Sequence, residues 1–149
     1  MATPGAGPET AVQVRRTFAA PREKVFQAWI DPKMMARWFA RGLNMPPTVV
    51  LEADARPGGK YRVECLDRGV KYYGSGTFRE VVPPEKLVFT WSWVHHDFGA
   101  SLVTVEFRAV GPVYTEVTLT HELPEKDREA HRKGWEECFD MLEKALQQA

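Results

Sequence analysis

The sequence predicts an α+β fold in which a long C-terminal helix covers a curved antiparallel sheet of about six to seven strands. A helical period runs through Pro124 to Gln148, with apolar residues at spacings of three and four. Alternating patterns typical of strands follow one another from Thr48 to Glu122. Such a sheet usually has one apolar face, and only the terminal helix is long enough to cover it.

A strand and two short helices are predicted before the main run of strands. The segment VQVRRTF alternates and predicts the first strand. Pro21 can begin a short helix whose apolar side reaches Trp29. Asp31 as N-cap and Pro32 as the first helical residue begin a second helix, which Gly42 is expected to end.

Turns rich in Gly, Pro and Asp divide residues 48–122 into about six strands. In the first of these, Val49, Leu51 and Ala53 are predicted to share one face. In the longest, Gly74 and Gly76 fall on one face. Two missing side chains on one face either allow strong bending or leave room beside the strand.

The predicted terminal helix carries an apolar stripe that becomes polar towards its N-terminal end. Its apolar members are Trp135, Cys138, Phe139, Leu142, Ala145 and Leu146. Continued back one turn at a time, the stripe passes through His131 and Arg128. These two side chains either lie at the edge of the core or face a cavity.

Composition limits the classes of function. A chain of 149 residues with 44% hydrophobic and 27% charged residues fits one domain, here residues 11–149 after a disordered leader of residues 1–10. Twenty basic and twenty acidic residues give no overall field that would favour nucleic acid. No segment resembles a signal peptide or an apolar membrane span, so we expect a cytoplasmic protein without membrane insertion. Cys65 and Cys138 are expected to be buried thiols, with a redox pair as the alternative.

Four segments resemble a known family. RTFAAPREKVFQAWIDPKMMARWF, ARPGGKYRVE, YYGSGTFREVVPPEKLVFTWSW and GWEECFDMLEKAL are similar to successive blocks of the domain related to the C-terminal part of the activator of Hsp90 ATPase. That family belongs to the START-like, SRPBCC or Bet v 1-like superfamily with the helix-grip fold. The resemblance covers about Val12 to Leu146 and implies a cavity between sheet and helix. It also implies an Hsp90-type chaperone as a candidate partner.

The chain is rich in large aromatic side chains, which suit the wall of an apolar pocket as well as a packed core. Histidines at the end of the last strand and early in the terminal helix are expected to approach each other at one end of the cavity. The predicted ligand-binding residues are Trp29, Trp38, Tyr72, Phe78, Phe89, Trp91, Trp93, His121, Arg128, His131, Trp135 and Phe139.

Catalytic and metal motifs have little support in this sequence. His95, His96 and Asp97 lack any recognised ligand spacing, and adjacent residues of an extended segment point to opposite sides. Ser75 lies within a strand and lacks the outer glycines of a nucleophile elbow. We therefore predict no metal, no cofactor and no assigned catalytic residue.

The sequence favours a protein that binds a small hydrophobic or amphipathic ligand between the sheet and the terminal helix. One alternative is a cofactor-free enzyme of the cyclase or hydratase type, for which His121, His131 and Arg128 are the candidate acid–base groups. The other is a chaperone-associated interaction protein, which needs an exposed apolar patch, predicted at Trp38–Phe39 and Met45–Pro47.

Overall fold

A computed structural model describes residues 11–42, 45–93 and 101–148 of the chain. The predicted leader, residues 1–10, and the segment with His95, His96 and Asp97 lie outside these described residues.

The described residues form seven strands and three helices, which confirms the predicted fold class. The elements are β1 (Ala11–Phe18), α1 (Arg22–Gln27), α2 (Pro32–Trp38), β2 (Val49–Ala53), β3 (Lys60–Asp67), β4 (Val70–Val82), β5 (Lys86–Trp93), β6 (Ser101–Ala109), β7 (Thr115–Glu122) and α3 (Glu125–Gln148). The strands pair antiparallel in the order β1-β7-β6-β5-β4-β3-β2. The first and last strands of the chain are therefore neighbours, and β2 lies at the far edge.

The predicted N-cap of α2 is present, whereas the predicted end of this helix is wrong. Asp31 Oδ1 accepts a hydrogen bond from the backbone N–H of Lys33 at 3.0 Å. The helix ends at Trp38, before Gly42, because Phe39 takes an extended backbone conformation and Ala40 follows with a φ of 54°. This early end turns the chain sharply beside the sheet.

The prediction that three residues of β2 share one face is also wrong. A bulge between Val50 and Glu52 shifts the register, so that Val49 pairs with Glu64 on the outer face while Ala53 pairs with the buried Tyr61. Val49 remains 50% exposed on this edge strand.

The core lies between the inner face of the sheet and the three helices. The apolar stripe of α3 is buried as predicted, with Phe139 and Leu142 both completely buried. Burying such a side chain typically contributes about 1.5–3 kcal/mol. The ring of Phe139 meets Phe18 of β1 edge to face, with centroids 5.6 Å apart. The stripe thus holds α3 against the sheet.

Candidate functional site

A pocket of about 380 Å³ lies between the segment after α2, strands β3 to β5 and the middle of α3. Most of its wall is aromatic, aliphatic or sulfur-containing, and its charged residues are few. The lining residues are Phe39, Ala40, Arg41, Gly42, Met45, Cys65, Asp67, Tyr72, Trp91, Trp93, Ala130, His131, Gly134, Trp135, Glu137 and Cys138.

The wall of the pocket on the sheet side includes the ring of Trp91, which has room because β4 carries no side chain at Gly74. A Cβ atom there would collide with the indole ring of Trp91, so the glycine leaves the space that this ring occupies. Trp91 stacks nearly parallel on Tyr61, with centroids 5.7 Å apart, and meets Trp93 at 82° with centroids 4.9 Å apart. These contacts make the wall a set of interlocked rings.

The helix side of the pocket is formed by Trp135, whose ring packs on the core. It stacks on Trp29 at an interplanar angle of 24°, with centroids 6.1 Å apart. Phe39 contacts it at a steeper angle from the segment after α2. Trp135 is only 7% exposed, so its contacts with core residues fix the orientation of its ring.

A buried chain of hydrogen bonds, here called the histidine relay, joins the two walls. Trp135 Nε1 donates to His121 Nδ1 at 3.0 Å, and His121 Nε2 lies 2.6 Å from Ser101 Oγ. An indole N–H can only donate, so Nδ1 must accept and the neutral ring carries its proton on Nε2. His121 Nε2 therefore donates to Ser101 Oγ, which in turn donates to the backbone carbonyl of Trp91 at 2.9 Å.

This direction of donation excludes the histidine relay from base catalysis. In a serine–histidine dyad the imidazole accepts the hydroxyl proton, whereas here the imidazole donates to the hydroxyl. Burial is the main cause that lowers the pKa of His121 to about 3, and the charge of nearby His131 acts in the same direction. His121 is thus a neutral positioning residue for Trp135.

His131 lines the pocket, whereas Arg128 does not. The rings of His121 and His131 approach each other as expected, with centroids 5.2 Å apart, and His131 also lines the pocket. His131 Nδ1 lies 2.9 Å from the backbone oxygen of Asp127. Arg128 Nε donates to the backbone oxygen of Leu123 at 3.1 Å, which ties the start of α3 to the end of β7.

Both cysteines are buried and line the pocket. Burial raises the pKa of the Cys65 thiol to about 11 and that of the Cys138 thiol to about 12. The thiols are therefore protonated at neutral pH and supply apolar surface instead of a nucleophile. Among the described residues, no three His, Cys, Asp or Glu side chains converge as a metal site would require.

The structure brings together five of the twelve predicted ligand-binding residues in the wall of this pocket: Tyr72, Trp91, Trp93, His131 and Trp135. Neither His121 nor Arg128 lines the pocket, but His121 accepts the hydrogen bond that orients Trp135 in its wall. The remaining five pack within the buried core and do not line this pocket: Trp29, Trp38, Phe78, Phe89 and Phe139.

Sequence reasoning missed Met45, Asp67 and Glu137, which reach the pocket from a loop, a strand end and the helix. No local pattern marks them, because their meeting depends on how distant segments pack. The predicted apolar interaction patch is wrong in its first part, because Trp38 is completely buried and Phe39 is 3% exposed. Its second part is at the surface, with Pro46 and Pro47 exposed and Met45 half-buried. Trp38 Nε1 donates to the backbone oxygen of Ala28 at 2.9 Å, which joins α2 to the end of α1.

Stability is expected to fall as the pH drops from about 6.5 towards 3. His121 has an ordinary pKa of 6.5 when unfolded and a pKa of about 3 when folded, so the unfolded chain binds more protons within this window. The loss attributable to His121 is at most about 1.4 kcal/mol per pH unit. Urea unfolding of the natural chain and of His121→Gln at several pH values checks this, since the variant retains every other titratable group. Equal pH slopes in both proteins would contradict the assignment.

Comparisons with known proteins agree on the fold. The family model described as Activator of Hsp90 ATPase homolog 1-like protein matches residues 19–147. Protein CV1439 from Chromobacterium violaceum is 26% identical, with a TM-score of 0.82 over 92% of this chain and 97% of that chain. A protein from Rhizobium leguminosarum is 26% identical, with a TM-score of 0.74 over 93% of this chain and 95% of that chain.

Protein NE0264 from Nitrosomonas europaea shares the fold at 23% identity, with a TM-score of 0.77 over 95% of this chain and 97% of that chain. Among curated proteins, none matches the sequence significantly. Within the described residues, no helix is both long and apolar enough to cross a membrane.

Proposed function

This chain belongs to the family of Activator of Hsp90 ATPase homolog 1-like proteins, and from that premise we propose that it binds a small hydrophobic or amphipathic ligand between the sheet and α3. The fold is of the START-like or Bet v 1-like ligand-binding type, which supports the proposal in general terms. Because one fold can host unrelated functions, the pocket itself gives the more specific support.

The observation that carries the proposal is a preorganised aromatic pocket of about 380 Å³. Its size falls in the range typical of small-molecule sites. Trp91 and Trp135 face it from opposite sides, and each is held by ring contacts and by the histidine relay. Rings that are already ordered lose little conformational entropy on binding, which favours ligand affinity.

The polar groups lie where an amphipathic ligand would need them. Arg41 and Asp67 are half-buried and Glu137 is exposed, whereas Trp91, Cys65 and Cys138 are buried. An apolar ligand body can therefore occupy the buried side while a polar end reaches the charged side.

Neither alternative function gains a specific observation. An acid–base reaction would have to proceed without His121, whose Nε2 proton is engaged with Ser101. A chaperone partner is suggested by the family description, but Trp38 and Phe39 of the patch predicted for such a partner are buried, which leaves only Met45–Pro47 at the surface.

Gly134 provides a direct test, because it lies in the interior of α3 and lines the pocket. A Cβ atom at this position would meet nothing within 4 Å, so packing does not require glycine there. Gly134→Ala should stabilise the fold by about 1 kcal/mol through helix propensity. Gly134→Leu should fill the pocket and weaken binding of the neutral fluorescent probe N-phenyl-1-naphthylamine by about tenfold or more.

The matched control is Lys133→Leu, which adds the same side chain at an exposed position outside the pocket lining. It should leave probe affinity unchanged. Native mass spectrometry of the natural chain, followed by denaturing extraction, would identify any co-purified ligand. Failure of the natural chain to bind the probe or to carry any extractable ligand would contradict the proposal.

A further inference from the structure

We infer that the ligand of this pocket is cationic, with an ammonium group on an apolar skeleton held between tryptophan rings and two carboxylates. The inference rests on the proposed function and adds the charge of the ligand to it. Its grounds are the aromatic rings that line the pocket and the sign of the charges beside them.

The ring geometry suits a cation. Trp91 and Trp93 are nearly perpendicular at 82°, with centroids 4.9 Å apart, so they form a corner on the sheet side of the pocket. Trp135 lines the helix side, and the half-buried Tyr72 lines the same pocket from β4. Tryptophan faces attract cations more strongly than other aromatic side chains because of their quadrupole.

The charged side chains of the lining favour the same sign. Asp67 and Glu137 are the two carboxylates, and Arg41 is the only guanidinium in the described lining. Asp67 also has a surface contact at 3.5 Å with Arg68, whose side chain is 90% exposed. Such an exposed pair is weak, so it leaves the Asp67 carboxylate able to interact with a ligand.

Arg41 is poorly placed to select an anion, because two of its nitrogen atoms are already engaged by the backbone. Its Nε donates to the oxygen of Met45 at 2.8 Å, and its Nη1 donates to the oxygen of Arg37 at 2.8 Å. A carboxylate is best held by two parallel N–H groups of a guanidinium, and the bond from Nε leaves the pair formed by Nε and Nη2 incomplete.

Glu137 extends over the backbone at the edge of the pocket. Its Oε1 lies 2.5 Å from the position that a Cβ atom on Gly42 would take. The carboxylate is therefore close to the turn after α2, and a glycine at position 42 leaves it the space. This placement puts a negative charge on the same pocket that the tryptophan rings line.

The test compares three compounds with the same apolar ring: 1-naphthylmethylammonium, 1-naphthylmethanol and 1-naphthoate. Each is titrated against the natural chain loaded with N-phenyl-1-naphthylamine, and displacement of the probe gives the affinity. We expect the ammonium compound to bind about tenfold more tightly than the alcohol. The preference should fall to about threefold in the double variant Asp67→Asn, Glu137→Gln, in which only the rings remain to attract the cation.

The control is Glu136→Gln, which removes the same charge from an exposed position beside Glu137 that does not line the pocket. This variant should keep the full preference for the ammonium compound. Equal binding of the ammonium compound and the alcohol would overturn the cationic inference and leave the ligand-binding proposal intact. Tightest binding of the naphthoate, or a preference that is undiminished in the double variant, would also overturn the inference. If none of the compounds binds and the probe itself fails to bind, both proposals are wrong.

Discussion

Replacing His121 by leucine is expected to destabilise the protein by about 2–4 kcal/mol and to disorder one wall of the pocket. His121 is completely buried and is the acceptor for the indole N–H of Trp135. Leucine has a similar size but cannot accept a hydrogen bond, so the buried N–H of Trp135 would lose its partner. Ser101 Oγ would lose its donor as well.

Urea unfolding measures the loss of stability, and titration with N-phenyl-1-naphthylamine measures the effect on binding in the pocket. His121→Gln is the matched variant, because an amide can both accept from Trp135 and donate to Ser101. It should retain more stability than His121→Leu. A leucine variant as stable as the natural chain, with unchanged probe affinity, would refute the positioning role of the histidine relay.

Gly76→Ala is expected to destabilise the fold by about 3 kcal/mol, at the upper end of overpacking effects. A Cβ atom at Gly76 would overlap the backbone oxygen of Thr90 and the phenol oxygen of Tyr61. These two oxygens form a hydrogen bond with each other, in which the Tyr61 hydroxyl donates. The added methyl group would break that bond and separate β4 from β5.

The measurement is again urea unfolding, with two comparison variants from the same strand. Ser75→Ala adds no atoms and should change the free energy of unfolding by less than about 0.5 kcal/mol. Gly74→Ala meets the edge of the Trp91 ring, a side chain, and should therefore cost less than Gly76→Ala while weakening probe binding. If Gly76→Ala were neutral, the close approach of β4 to Thr90 and Tyr61 would not be needed for stability.

The elements of the fold could be predicted because their signals are local. The period of α3 places Phe139 and Leu142 in the core, and alternation in β6 does the same for Val103 and Val105. An N-cap such as Asp31 is likewise recognisable from its own segment. The errors arose where a backbone irregularity changed the register, as at the bulge beside Val50 and at the left-handed Ala40.

The candidate site could be predicted only in part. Aromatic content and the paired histidines predicted some residues that line the pocket, yet Trp29 and Trp93 carry the same local signal. One is 2% exposed in the core and the other is a half-buried member of the pocket wall. The difference arises from which neighbours reach each ring, and no pattern along one strand or helix records that.

The sequence by itself determined the order of strands and helices and the apolar faces of elements such as α3 and β6, because these properties depend on residues close together in the chain. It also determined the absence of an overall charge, which depends on composition alone. Only the tertiary structure decided the direction of the histidine relay and the position of the pocket. The register pairs Ser101 with Trp91 and Val103 with His121, so Ser101 and His121 become diagonal neighbours on one face of the sheet. Trp135 then reaches His121 from the helix that lies across that face. Contacts between segments so distant in the chain depend on strand register and helix packing, which short-range patterns do not specify.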